Sequence, residues 1–107
     1  KIKLIESLYE GILQFNANAI KSIQDNDVEK KVYWLQRTSA IFTELMNAID
    51  LEAEGTISGY LYGLYGEQLK ILFAANRENS IEKILTVNKV VIELLDAWRE
   101  VNNLDKK

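Results

Sequence analysis

With 107 residues, 48% of them hydrophobic, the chain is long enough to bury one core and is typical of a single domain. It contains no cysteine, histidine or proline, which excludes a disulfide framework, thiolate chemistry and the usual nucleophile-base pairs. A net charge of −3, from 13 basic and 16 acidic residues, offers no basic face for nucleic acid, and the Leu-, Ile-, Ala-, Glu- and Lys-rich composition is that of an all-α protein.

The first helix is expected over Ile2 to Gln24, because Ile5, Leu8, Ile12, Phe15, Ala19 and Ile23 recur at alternating three- and four-residue steps. Asp25, Asn26 and Asp27 break that pattern. Asp27 then suits the N-cap of a second helix, Val28 to Glu52, with Glu29 in the first turn and a stripe of Val32, Leu35, Phe42, Met46 and Ile49. Gly55 and Thr56 form the next break, one suited to a left-handed helix end and the other to a cap. The third helix should run from Ile57 to Asn76 on Ile57, Leu61, Leu64, Leu72 and Ala75. Asn79 and Ser80, with Glu82, resemble a capping box for a fourth helix from Ile81 to Asn102, and Asn103 to Lys107 should fray.

Helices of about 22 residues are roughly 33 Å long, and connections of a few residues force each to double back on the last. The expected architecture is an antiparallel four-helix bundle, one domain over residues 1–107. No apolar run approaches the roughly 20 residues that span a bilayer, and no signal peptide is visible, so a cytoplasmic protein without membrane insertion is expected. The chain begins at Lys1, not Met, so its natural amino terminus is expected upstream.

Helices two, three and four carry more apolar residues than a bundle stripe needs. The stretch GYLYGLYGEQL interleaves Gly59, Gly63 and Gly66 with Tyr60, Tyr62 and Tyr65, and each interior glycine costs roughly 1 kcal/mol relative to alanine. On a helical wheel Tyr62, Tyr65, Leu69 and Phe73 widen the apolar arc of this helix to roughly 220°, with the glycines just beyond as a flat outward strip. On this phase Leu64 points inward and Leu69 outward. Ile41 and Leu45, beside Trp34 and Ala48, form a second surplus stripe, and Val87, Val90 and Leu94, beside Val101, a third. Large apolar patches mark interaction surfaces, so Tyr62, Tyr65, Gly66, Leu69 and Phe73 are the expected wall of a groove for a foreign helix or extended chain. The alternative is a structural helical module that self-associates through the same stripes, or a thick core that absorbs them.

Nothing in the chain points to catalysis or a cofactor. A ferritin-like metal site needs histidine, which is absent, and no Gly-Lys-Ser or Gly-Lys-Thr phosphate loop occurs. Carboxylate pairs such as Glu93 and Asp96, or Glu52 and Glu54, read as solvated faces or loops rather than a tuned acid and base.

Three stretches, LIESLYEGIL at Leu4 to Leu13, EGTISGYLYGLYGEQL at Glu54 to Leu69 and LLDAWREV at Leu94 to Val101, give the chain a resemblance to the flagellar secretion chaperone FliS family. The family's leucine-tyrosine-acidic-glycine step is matched by Leu8, Tyr9, Glu10 and Gly11. Its glycine, isoleucine and Leu-x-x-Leu-Tyr entering the third helix are matched by Gly55, Ile57, Leu61, Leu64 and Tyr65, and its Ala-Asn and late tryptophan by Ala75, Asn76 and Trp98. Glu54 stands where the family usually has the first of two glycines. The resemblance implies a cytoplasmic chaperone, working without ATP, whose partners are the disordered carboxy-terminal segment of flagellin and the flagellar type III export apparatus, and it leaves open a co-chaperone. It also implies an amino-terminal arm, absent from these 107 residues, that folds back over part of the groove.

Overall fold

Four helices, α1 (Ile2–Gln24), α2 (Val28–Asn47), α3 (Thr56–Glu78) and α4 (Ile81–Asp105), make up nearly all of the computed structural model, which describes residues 2–50 and 56–105. They form the expected antiparallel bundle. α1 packs against α2 and α4, and α3 against the same two, so α1 and α3 share one diagonal and α2 and α4 the other. Among the described residues no helix is long and apolar enough to cross a membrane.

The two helical hairpins turn at the same end of the bundle and by the same device. Asn26 and Asn79 take the left-handed conformation, with φ of 57° and 53°, which asparagine tolerates better than most residues, and each is followed at once by a helix cap. Beyond Asn26, the Asp27 N–H donates back to the Ser22 carbonyl (2.8 Å) while the Asp27 carboxylate accepts from the Lys30 N–H (3.1 Å). Beyond Asn79, the Ser80 N–H donates to the Ala75 carbonyl (3.0 Å) and the Ser80 hydroxyl accepts from the Lys83 N–H (3.1 Å). The third position of that cap is Lys83, so Glu82 completes no capping box and acts only as a negative charge in the first turn. Lys31 fastens the two turns together. Its buried ammonium donates to the Asn76 carbonyl (2.9 Å) and to Asn79 Oδ1 (2.6 Å), at the end of α3 where the helix dipole favours a cation.

α2 stops at Asn47, short of the expected Glu52. The Ile49 N–H donates to the Met46 carbonyl three residues back (3.2 Å), which tightens the last turn and folds Ile49 onto the core. Glu52, Glu54 and the expected break at Gly55 lie outside the described residues. α3 begins at Thr56 and runs two residues past the expected Asn76, and α4 runs three past Asn102.

The core consists of Tyr9, Ile12 and Ala19 from α1, Leu35, Phe42 and Leu45 from α2, Tyr65, Leu72 and Ala75 from α3, and Ile84, Val87, Val91 and Leu95 from α4. In α1 the sequence periodicity has the right phase. In α3 it holds at Leu72 and Ala75 but fails at Ile57, and in α4 Val87, expected on a surplus stripe, lies in the core. α3 is turned so that Tyr65 and Gln68 are buried and Ile57 is 63% exposed, with Leu64 only half-buried on a flank. α4 is turned so that Ile84, Val87 and Val91 face inward while Leu85 and Ile92 face water.

Polar partners inside the bundle fix these rotations. The Tyr9 and Tyr65 hydroxyls lie 2.6 Å apart across the α1/α3 diagonal, and Trp98 Nε1 donates to the Tyr9 oxygen (3.0 Å), which ties α1, α3 and α4 at one point. One layer further, Asn16 Nδ2 donates to Asn88 Oδ1 (2.8 Å) and accepts from the Thr38 hydroxyl through Oδ1 (2.9 Å), which ties α1, α2 and α4. Burial away from water, which disfavours the phenolate, holds both phenols above the ordinary tyrosine value of 10. Their contribution to stability is therefore complete below pH 10 and falls as the pH rises beyond it, because the unfolded phenols ionise first.

Tyr9 receives both contacts and Tyr65 only one, so Tyr9→Phe should destabilise more than Tyr65→Phe, by about 1–3 against about 1 kcal/mol. Urea melts of the two variants give the order directly, and equal losses would mean that the Trp98 bond contributes nothing.

Glycines divide by what stands opposite them. A Cβ at Gly11 would lie 3.2 Å from Ile41 Cδ1, so this glycine lets α1 and α2 approach closely. Gly59 and Gly63 face open space. Alanine at either outer site should therefore stabilise the chain by about 1 kcal/mol, and the thermal midpoints of Gly59→Ala and Gly63→Ala should rise while that of Gly11→Ala does not.

Candidate functional site

Of the surplus stripes expected from the sequence, that of α2 is spent inside the bundle. Trp34 stacks on Phe15 of α1 with ring centres 5.5 Å apart, Ile41 packs over Gly11, and Leu45 is 2% exposed. A bundle helix meets two neighbours, so its buried arc is wider than a single stripe, and the residues beside the α2 row face α1. The α4 stripe fares similarly: Val87 is fully buried, Leu94 packs on the core, and Val90 is half-buried. Leu45 and Val87 are thus core residues and present no side chain on the free surface. Tyr65 joins them at 2% exposure, because its hydroxyl has a partner in Tyr9 and its ring packs 6.1 Å from that of Phe42.

The remaining α3 residues stand together. Tyr62, Gly66, Leu69, Phe73 and Asn76 follow one another at four- and three-residue steps, so they share one face of α3, and that face borders α2. Between the two helices runs a groove of about 450 Å³ lined by Val32, Leu35, Gln36 and Ser39 of α2 and by Leu69, Leu72, Phe73 and Asn76 of α3. Its floor is apolar. Phe73 forms a lip, 70% exposed, with the Arg77 guanidinium 5.7 Å from the ring centre on the next turn. Gly66 continues the same row beyond the groove lining, and a Cβ there would come within 3.7 Å of the Met46 methyl, an ordinary contact.

Sequence reasoning placed Leu69 and Phe73 on a surface wall but missed Val32, Gln36, Ser39 and Asn76. Val32 was expected in the core stripe. The available signal was the seven-residue repeat Val32, Ser39, Met46, which marks one edge of α2. A second, polar hollow of about 160 Å³ sits at the hairpin end among Ser22, Asn26, Asp27, Lys31 and Asn79. Among the described residues no cluster of acidic or other ligand side chains could hold a metal ion. The groove lining itself offers apolar contact and uncharged polar groups.

A family model described as flagellar protein FliS matches residues 1–105. The chain belongs to the FliS family of flagellar secretion chaperones. It is 50% identical over 101 residues to the flagellar secretion chaperone FliS of Campylobacter jejuni, an alignment that covers 94% of this chain and 79% of that protein. Against the FliS proteins of Escherichia coli K12 and Bacillus subtilis the identity is 26% over 99 residues and 27% over 100, covering 92% and 94% of this chain and 73% and 74% of theirs.

The FliS motifs seen in the sequence meet in the structure. Tyr9, Tyr65 and Trp98, one from each motif-bearing stretch, form one buried network, Gly11 admits Ile41, and the Asn76 carbonyl receives Lys31. These positions carry the FliS fold, and the groove lies beside them.

Proposed function

We propose that this chain binds the disordered carboxy-terminal segment of flagellin along the α2/α3 groove. Covered in this way, the segment is withheld from premature polymerisation in the cytoplasm until the subunit is passed to the flagellar export apparatus. Leu69 and Phe73 provide the wall and Leu35 and Leu72 the floor, while Gly66 and the exposed Tyr62 continue the same face of α3 beyond the groove. Ile41, Val90 and Leu94 enter only as supports behind the surface.

The observation that carries this reading is the exposure of Phe73 above an apolar floor, with Tyr62 exposed on the same face of α3, in a protein of a secretion chaperone family. Burying a few hundred Å² there contributes several kcal/mol at about 25 cal/mol per Å², enough to offset part of the ordering entropy of a flexible client.

Isothermal calorimetry with a synthetic peptide of the flagellin carboxy terminus, alongside light scattering, tests it. A one-to-one complex with a negative heat-capacity change is expected. A chain that ignores the peptide and forms a tight dimer instead would replace this reading with self-association, for which the exposed Leu85 and Ile92 on α4 are the residues to substitute.

A further inference from the structure

One wall residue of the groove is left incomplete. Asn76 lines the α2/α3 groove, its side-chain Oδ1 is buried, and that oxygen has no hydrogen-bond partner, while its backbone carbonyl is already taken by Lys31. A buried acceptor without a partner is costly, and native structures rarely keep one without a use. Asn76 stands one helical turn from Phe73 on the face that the client would cover.

Resting on the groove reading above, we infer that Asn76 is a specificity point: as the client enters, the asparagine amide turns about its last side-chain bond and brings Oδ1, shut off from water in the free chain, to accept a hydrogen bond from an uncharged donor side chain, Ser, Thr, Asn or Gln, next to the apolar residues filling the groove. The lining selects against charge. Its eight residues, Val32, Gln36, Ser39, Asn76 and the four apolar floor and lip residues, include no carboxylate to pair with a lysine or arginine, so a cationic donor would be buried without a counterion. Nor can the nearby Lys31 serve a client, since its ammonium is buried and held by Asn76 and Asn79. An uncharged donor meets the oxygen at no such cost, and a client with alanine at that place leaves it unpaired.

The test is a double-mutant cycle with the flagellin carboxy-terminal peptide as probe. Each Ser, Thr, Asn and Gln of the peptide is replaced by alanine and titrated against the wild-type chain and against Asn76→Leu. One peptide position should cost about tenfold in affinity on the wild type and almost nothing on Asn76→Leu. The Asn76→Leu chain should itself melt higher than wild type, having lost an orphaned polar group, yet bind the unmodified peptide about tenfold more weakly. Stability and affinity moving in opposite directions is a result that a purely structural asparagine would not produce. The inference fails if no peptide position is coupled to residue 76, or if Asn76→Leu binds as tightly as wild type. Should that variant not fold, the alanine series on the wild-type chain decides alone, and the absence of any position costing about tenfold overturns the inference. Failure of the unmodified peptide to bind wild type overturns the groove reading itself.

Discussion

Leu72→Asp should abolish the folded bundle. The side chain is 1% exposed, lies at the centre of the α3 core row and forms part of the groove floor. Removing the leucine leaves a cavity worth about 2–5 kcal/mol, and a carboxylate in the same space adds several more through its lost hydration. A domain of this size has only about 5–15 kcal/mol to lose. Far-UV circular dichroism at 25 °C should show most of the helix signal gone, and a cooperative melt near that of wild type would mean that the core has been misidentified. Leu64→Asp, half-buried on a flank of α3, should shift the melt without erasing it.

Phe73→Asp, one residue along, should do the reverse. With 70% of its surface in water the ring contributes little to the free chain, and aspartate at this site lies one turn from Arg77, where it can form an i,i+4 ion pair in place of the cation-aromatic contact. The melt should stay within about 0.5 kcal/mol of wild type. Affinity for the flagellin peptide should drop by one to three orders of magnitude, roughly what loss of an aromatic anchor costs. Unchanged binding would move the client away from the α2/α3 groove. Leu69→Asp, half-buried and packed on the core, should lose affinity and some stability together, so Phe73 separates the two roles more cleanly.

The helices themselves were legible because their period is local. Ile5, Leu8, Ile12 and Ala19 repeat over one rod, and Asp27 and Ser80 are capping residues whose partners lie three positions away. The rotation of α3 and α4 was not legible, because it depends on pairs far apart in the chain. A wheel counts Tyr65 as a surface aromatic until the Tyr9 hydroxyl is seen 2.6 Å away, and Asn88 as a polar-face residue until Asn16 is seen to bond it. The apparent surplus on α2 came from the same blindness: Trp34 and Ile41 belong to the α1 contact through Phe15 and Gly11. Of the expected α3 row, Tyr62 and Phe73 are exposed while Leu69 is half-buried against the core. Asn76 could not have been found by periodicity, since an orphaned oxygen is visible only where all possible partners are known.

The Lys31 clasp holds the α2/α3 seam where the two hairpin turns meet. Asn76, whose carbonyl it takes, stands fourteen residues from Tyr62, roughly 21 Å along the helix axis. A segment touching both residues would have to span that length, about six residues if extended and about fourteen if helical.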